Sequence, residues 1–211
     1  DRKYAEQYPL MDKKIWEYNP LNPQQLKDYD VSSYCYRHSR RDWKVSAYDK
    51  DYGVNYDGDS RKPEYLIDGE KKTNWSSGKI NDKPLELPYY IIFDLNKVSD
   101  IDGVYLANGY SNQCLADVHV EYIGSEVADP YDINAPWETL LQVTDPNVVR
   151  ANLKNERFFD CPRTQARYLR LKISNPNTIV FKSDSDLTEE EKANQKKYHS
   201  FAEFGTYYKK P

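Results

Sequence analysis

Methionine occurs once in 211 residues, glycine only eight times, and histidine and cysteine three times each. Cys35, Cys114 and Cys161 are widely spaced, match no zinc pattern, and allow at most one disulfide with one thiol left over. His38, His119 and His199 are equally scattered, so a zinc or nucleophile constellation has no local support. No run approaches the roughly 18 apolar residues that mark a membrane helix, and no membrane insertion is expected. No signal-peptide pattern is visible; the sequence opens at Asp1 and reads as trimmed or mature. Positive charge is not concentrated either, with 30 Lys and Arg against 34 Asp and Glu and a net charge of -4. That excludes a binder that tracks nucleic-acid phosphates, which needs a basic face. The short cluster Arg37, Arg40 and Arg41 is interrupted by acids and is expected to be a solvated surface.

What the chain has in quantity is tyrosine, 20 against 6 phenylalanines. A tyrosine ring packs on its faces and hydrogen-bonds at its tip. Such a composition suits a core with wet edges, or a surface that stacks on sugars. The length allows one substantial domain with an extension, and a core that needs no disulfide. Residues 1–42 lack strand periodicity and carry Pro9, Pro20 and Pro23; they are expected to form an N-terminal extension or linker. Within them Asn22 and Pro23 predict a short helix toward Tyr29, as N-cap and first helical residue.

From Trp43 the texture changes, and residues 43–211 form the expected main domain. Short alternating or apolar runs recur at Trp43–Tyr48, Tyr89–Leu95, Ile101–Ala107, Val118–Ile123, Glu138–Val143, Arg157–Phe159, Tyr168–Ile173 and Ala202–Tyr207. Gly, Pro, Asn and Asp separate them, an all-β pattern. In Tyr168–Ile173 the alternation places Leu169, Leu171 and Ile173 inward and Tyr168, Arg170 and Lys172 outward. About eight strands with long connections predict a two-sheet sandwich or jelly roll. Two connections are long, Gly124 to Pro136 and Asn175 to Ser200. The second holds Thr188-Glu189-Glu190-Glu191, a capping box that predicts a helix toward Lys197.

The segment LIDGEKKTNW, Leu66 to Trp75, carries the most chemistry. Its Asp68-Gly69 pair demands a tight turn, and the loop offers a carboxylate, a hydroxyl and carbonyls suited to a hard cation. A second carboxylate, Glu203 in FAEFGTYY, would join it if the first and last strands meet.

These motifs, taken in order with YYIIFDL, IDGVYLANGY, VHVEY, WETLLQV and ARYLRLKIS, resemble the coagulation factor V/VIII type C (discoidin) family. The likeness runs from about Trp43 to Tyr208 and is strongest to family 32 carbohydrate-binding modules of secreted bacterial proteins. The resemblance implies an all-β, galactose-binding-domain-like jelly roll with structural calcium. By position its ligands would be the Asp68 side chain, the Glu70 carbonyl, Thr73 through hydroxyl and carbonyl, the Ala202 carbonyl and the Glu203 side chain. Three features depart from the pattern. Lys71 and Lys72 sit in the loop, an insert ending at Trp137 replaces a short hairpin, and the bracketing cysteine pair of animal members is absent. Arg167 and Arg170 are expected to pair with acids on an outer strand face, and Trp75 to be core.

The resemblance places a ligand surface at the loop end, where Tyr52, Tyr56, Asn108, Tyr110, Asn112 and Gln113 offer rings and amides. Amides both donate and accept, as sugar hydroxyls require. The expected function is non-catalytic binding of a glycan or oligosaccharide, extracellular or at the cell surface, with other domains of a larger protein as further partners. The alternative is a protein–protein scaffold module on the same fold, which would present a flat apolar patch. No motif announces an enzyme.

Overall fold

Tyr89–Asn108 holds two apolar runs, and both belong to one 20-residue strand. The computed structural model describes residues 9–10, 35–49, 53–54, 62–77, 79–80, 83–109, 115, 117–132, 134–144, 156–176 and 187–209. In chain order the strands are β1 (Pro9–Leu10), β2 (Cys35–Arg37), β3 (Lys44–Asp49), β4 (Gly53–Val54), β5 (Trp75–Ser76), β6 (Lys79–Ile80), β7 (Lys83–Pro84), β8 (Tyr89–Asn108), β9 (Val118–Ile123), β10 (Glu138–Val143), β11 (Glu156–Ile173) and β12 (Ser200–Lys209). A 3-10 turn at Pro63–Leu66 precedes β5, and helix α1 spans Glu189–Gln195. Thr188 and Glu191 close the expected capping box on that helix. The helix expected after Asn22 lies outside the described residues.

Two long strands divide the work. The first half of β8 pairs with β3 and with the second half of β11; its second half pairs with β12 and with the first half of β11. Between the halves Asn96 takes a positive φ of 67°, which asparagine tolerates better than most residues. Its N–H donates to Asp94 Oδ1 at 2.7 Å, and β11 shifts register between Ala166 and Tyr168. The two halves therefore lie in different layers. Phe93, from one half, stacks on Phe204 of β12, beside the other, at 4.2 Å. Ile91, Phe93, Leu95, Val104, Leu106, Leu169, Leu171 and Ile173 share one core, the last three as the alternation predicted. The architecture is the expected all-β jelly-roll sandwich with one short helix.

Both outer faces are partly covered. The insert 124–137 crosses the outer face of the layer β10-β9-β11-β8-β3: the Tyr131 hydroxyl donates to Ser46 Oγ of β3 at 2.9 Å. Trp137 and Tyr90 hold the Arg170 guanidinium between them, 4.5 and 4.4 Å from the ring centroids, while Arg170 pairs with Glu121. Arg167 pairs with Asp94 and Glu126. Both arginines thus meet acids on an outer face, and this covering buries the outward Tyr168.

On the other layer, β2 joins the edge beside β12, with Arg37 opposite Tyr207. Residues 35–40 of the segment read as extension are thus built into the sandwich edge. The basic-cluster reading needs correction here. Arg41 is exposed, but Arg40 is buried and Arg37 half-buried, because both find carboxylates that sequence separation concealed. On this outer face Tyr105 lies over Gly205, and Tyr207 lies over Gly103.

A Cβ at Gly103 would stand 2.2 Å from the Tyr207 ring and 2.6 Å from the Phe159 carbonyl oxygen. The second contact is backbone and cannot swing aside. Gly103→Ala is expected to cost about 1–3 kcal/mol, the usual range for overpacking, read as a lowered denaturation midpoint. An unchanged midpoint would show that the tyrosine cover is loose.

Candidate functional site

The loop after the 3-10 turn folds around Asp68. Gly69 has φ 83°, the left-handed turn that the Asp-Gly pair demanded. Asp68 Oδ1 accepts from the Glu70 N–H at 2.7 Å, and Oδ2 faces the Thr73 hydroxyl, also at 2.7 Å. The same hydroxyl lies 2.7 Å from the Glu70 carbonyl oxygen. Three of the five expected cation ligands are therefore gathered by local turn geometry alone.

The other two come from β12. The register with β8 shifts between Phe201 and Glu203, so Ala202 has no opposite residue. Glu203 is 2% exposed. Its Oε2 accepts from Arg40, and its Oε1 is buried with no hydrogen-bond partner among the described residues. Burial pushes the Glu203 carboxyl up to about 7 against the pull of Arg40, and the nearby Asp68 and Glu156 carboxylates add to the rise. Asp68 is thus near enough to Glu203 for its charge to be felt there. Lys71 and Lys72 are exposed, with Lys71 Nζ 3.7 Å from Glu156, so neither fills the space beside Glu203.

Among the described residues no cluster of three or more His, Cys, Asp or Glu is set to hold a metal. A cation here would rest on two carboxylates with hydroxyl and carbonyl oxygens, a donor set for a hard ion such as calcium and not for zinc. The orphaned Glu203 Oε1 is the feature that such an ion would satisfy.

Four neighbours of this site were not legible as such. Arg37 forms a double hydrogen bond with Glu156, 2.6 Å on each arm. Burial raises the Glu156 carboxyl, but the Arg37 bond and charge outweigh it and hold the group below the usual range. The Arg37 and Arg40 guanidiniums lie 4.5 and 5.6 Å from the centroid of the Tyr105 ring.

The loop end of the sandwich lies where β8 finishes and β12 begins. Gly109 N–H donates to the Ser200 carbonyl at 3.1 Å, Asn74 to Ser200 Oγ at 3.0 Å, and Ser200 Oγ to the Trp75 carbonyl at 2.7 Å. Trp75 is core, stacked on Phe201. Asn108, expected on the sugar surface, is only 1% exposed. That expectation is corrected: the ladder of β8 continues through Asn108 opposite Phe201 and keeps it buried. Tyr52, Tyr56, Tyr110, Asn112 and Gln113 lie outside the described residues. Cys161 is a free thiol, pushed up to about 11 by burial and by Asp102 and Asp160.

The model of the F5/8 type C domain matches residues 44–183. No curated protein matches the sequence. In structure the chain is similar to CpGH89CBM32-5 of Clostridium perfringens, solved with GalNAc-β-1,3-galactose, at TM-score 0.54 and 15% identity over 80% of this chain and 96% of that one. It is similar to the family 32 module of C. perfringens NanJ, solved with galactose, at TM-score 0.54 and 15% identity over 82% and 99%. It also resembles a GH29 fucosidase of Ruminococcus gnavus, solved with fucose, at TM-score 0.51 and 18% identity over 80% of this chain but 25% of the enzyme.

His199 lies beneath the loop end, fully buried, with Nδ1 2.6 Å from the Tyr89 hydroxyl. Burial lowers its imidazole to about 4 from an ordinary 6.5. Below about pH 6.5 the unfolded chain takes up a proton that the folded state refuses, so stability falls from there toward pH 4. The loss is expected to reach a few kcal/mol. Melting at pH 7 and pH 4.5 should differ more in the wild type than in His199→Gln; equal differences would remove His199 as the cause.

Proposed function

Since the chain belongs to the F5/8 type C domain family, we propose that it is a non-catalytic carbohydrate-binding module of a secreted or surface-exposed protein. The observation that carries the reading is the match of some four-fifths of the chain to modules solved with galactose-type sugars. The loop end supports it physically. Asn74, Trp75 and Ser200 pin the strand ends there, so the segments carrying the proposed ligand residues need supply only the rings and amides that a sugar recognises. A shallow wet site of this kind binds weakly, because it gains little beyond displacing water. The scaffold alternative wants a broad apolar patch. Among the described residues Val98 is the one large hydrophobic side chain that is exposed, which favours the sugar. The likeness to a quarter of a fucosidase is consistent with a module carried by a larger glycoside hydrolase or other glycan-binding protein.

The ligand residues in this reading are Tyr52, Tyr56, Tyr110, Asn112 and Gln113. Tyr110→Ala and Asn112→Ala are each expected to abolish binding on a glycan array. Their melting temperatures should stay within the shift of about 0.5 kcal/mol typical of surface changes. Wild-type binding by both variants would move the site elsewhere, and unfolding of either would assign it to the core.

Structural calcium is the second part of the proposal. Asp68, Glu70, Thr73, Ala202 and Glu203 would hold it, and its charge would tie the start of the sandwich to its last strand. An ion that binds only the folded state stabilises it by mass action. Each kcal/mol so gained moves the melting temperature of a chain this size by about 2–4 °C. EDTA should lower melting by a few degrees, excess calcium should restore it, and Asp68→Ala should remove the difference. Identical melting with and without chelator would rule the ion out.

A further inference from the structure

Arg40 precedes the residues that match the family model, 44–183. Its Nη1 nevertheless forms a clasp between the Asp68 loop and β12, within 3.2 Å of the Leu66 carbonyl oxygen, 2.5 Å of Glu203 Oε2 and 2.7 Å of the Phe204 carbonyl oxygen. Leu66 leads into the Asp68 loop, and Glu203 and Phe204 belong to β12. One positively charged nitrogen therefore joins the two segments that the cation is proposed to join, through oxygens of the same chemical kinds. It does so without using Glu203 Oε1, which stays buried and unpartnered.

The surroundings hold Arg40 in place. Its guanidinium lies near the buried Tyr105 ring, and so does that of Arg37, which is itself paired with Glu156. Such a residue would be costly to bury without a carboxylate, and Glu203 would be costly to bury without a cation. Each is the other's reason for being there.

We propose that Arg40 is a resident counter-cation of the calcium clasp. It neutralises Glu203 through one oxygen and leaves the other to the metal ion. The sandwich then closes without the ion, and the ion binds less tightly than it would to an unshared carboxylate. This rests on the calcium reading given above. Its consequence is a module whose fold tolerates low calcium, with the segment before the family domain as the cause.

The test uses the full chain, as wild type, Arg40→Leu and Arg40→Lys, melted in EDTA and in excess calcium and titrated with calcium by calorimetry. Wild type should fold in EDTA and gain only a few degrees from calcium. Arg40→Leu should melt at least 10 °C lower than wild type in EDTA, regain most of the loss in calcium, and bind calcium about tenfold more tightly, since a nearby positive charge is gone. Arg40→Lys keeps the charge and should fold in EDTA with a calcium affinity within about threefold of wild type. If Arg40→Leu melts like wild type in EDTA, or stays unfolded in calcium that wild type binds, the proposal fails while the calcium site stands. A requirement for calcium to fold Arg40→Lys would also overturn it. If wild type shows neither calcium heat nor a chelation effect, the calcium reading fails and takes the proposal with it.

Discussion

The antiparallel pairing of β8 with β11 is the constraint on which the other elements depend. The two strands run beside each other from Glu156 opposite Ala107 to Ile173 opposite Tyr89. A pair so long cannot stay in one layer of a small sandwich, so it bends, at Asn96 on one strand and at the register shifts of the other. Each half then recruits its own neighbours, β3 and β9 on one side, β12 on the other. The core is what the bend encloses, and Phe93 against Phe204 is the contact that closes it. Among the described residues β12 pairs with the second half of β8 and with the short β2 and β5, so its position fixes how the early strands β2 and β5 meet the late one. The Glu203 site is a product of that meeting.

Sandwiches of this kind usually leave the outer faces of their sheets to water. Here both are partly covered, and by different means. The insert 124–137 lies across one layer and buries the guanidinium of Arg170 between two rings. The other layer carries tyrosines flattened over glycines, a packing in which a missing side chain on one strand is replaced by a ring from the next. Charged groups under such covers must be paired, and they are: Arg37 with Glu156, Arg40 with Glu203, Arg167 with Glu126 and Asp94, Arg170 with Glu121. Each pair is a difference between sequence neighbours and spatial neighbours, since none of the partners lies close in the chain.

That difference separates what was legible in the sequence from what was not. Alternation is local, so Tyr168–Ile173 announced both its strand and its inward face, and the capping box at Thr188 announced its helix. The merging of Tyr89–Leu95 with Ile101–Ala107 was not legible, because the polar stretch between them reads as a turn when the second partner strand is unseen. The Asp68 loop was legible because its turn, hydroxyl and carbonyl are packed into six residues. Arg40 was not, because a buried arginine and a solvated one look alike until the carboxylate 163 positions away is placed beside it. Asn108 misled in the opposite direction: an amide next to a glycine suggests an exposed loop, but the β8 ladder extends one residue further and buries it.

The clasp and the loop end act on the same strand. From Glu203 it is three residues back along β12 to Ser200, whose hydroxyl holds Asn74 and whose carbonyl holds Gly109. A charge that fixes Glu203 therefore also limits how far Ser200 can shift, and with it the two loop stems that Ser200 pins. The coupling would not need to be large to matter for the shallow sugar site proposed above, whose selectivity would rest on the spacing of a few short polar groups. Two cations, one covalently part of the chain and one drawn from solution, would then secure the same carboxylate for the same mechanical reason. On the calcium reading the arginine would keep the frame closed, and the ion would stiffen the end proposed to meet the ligand.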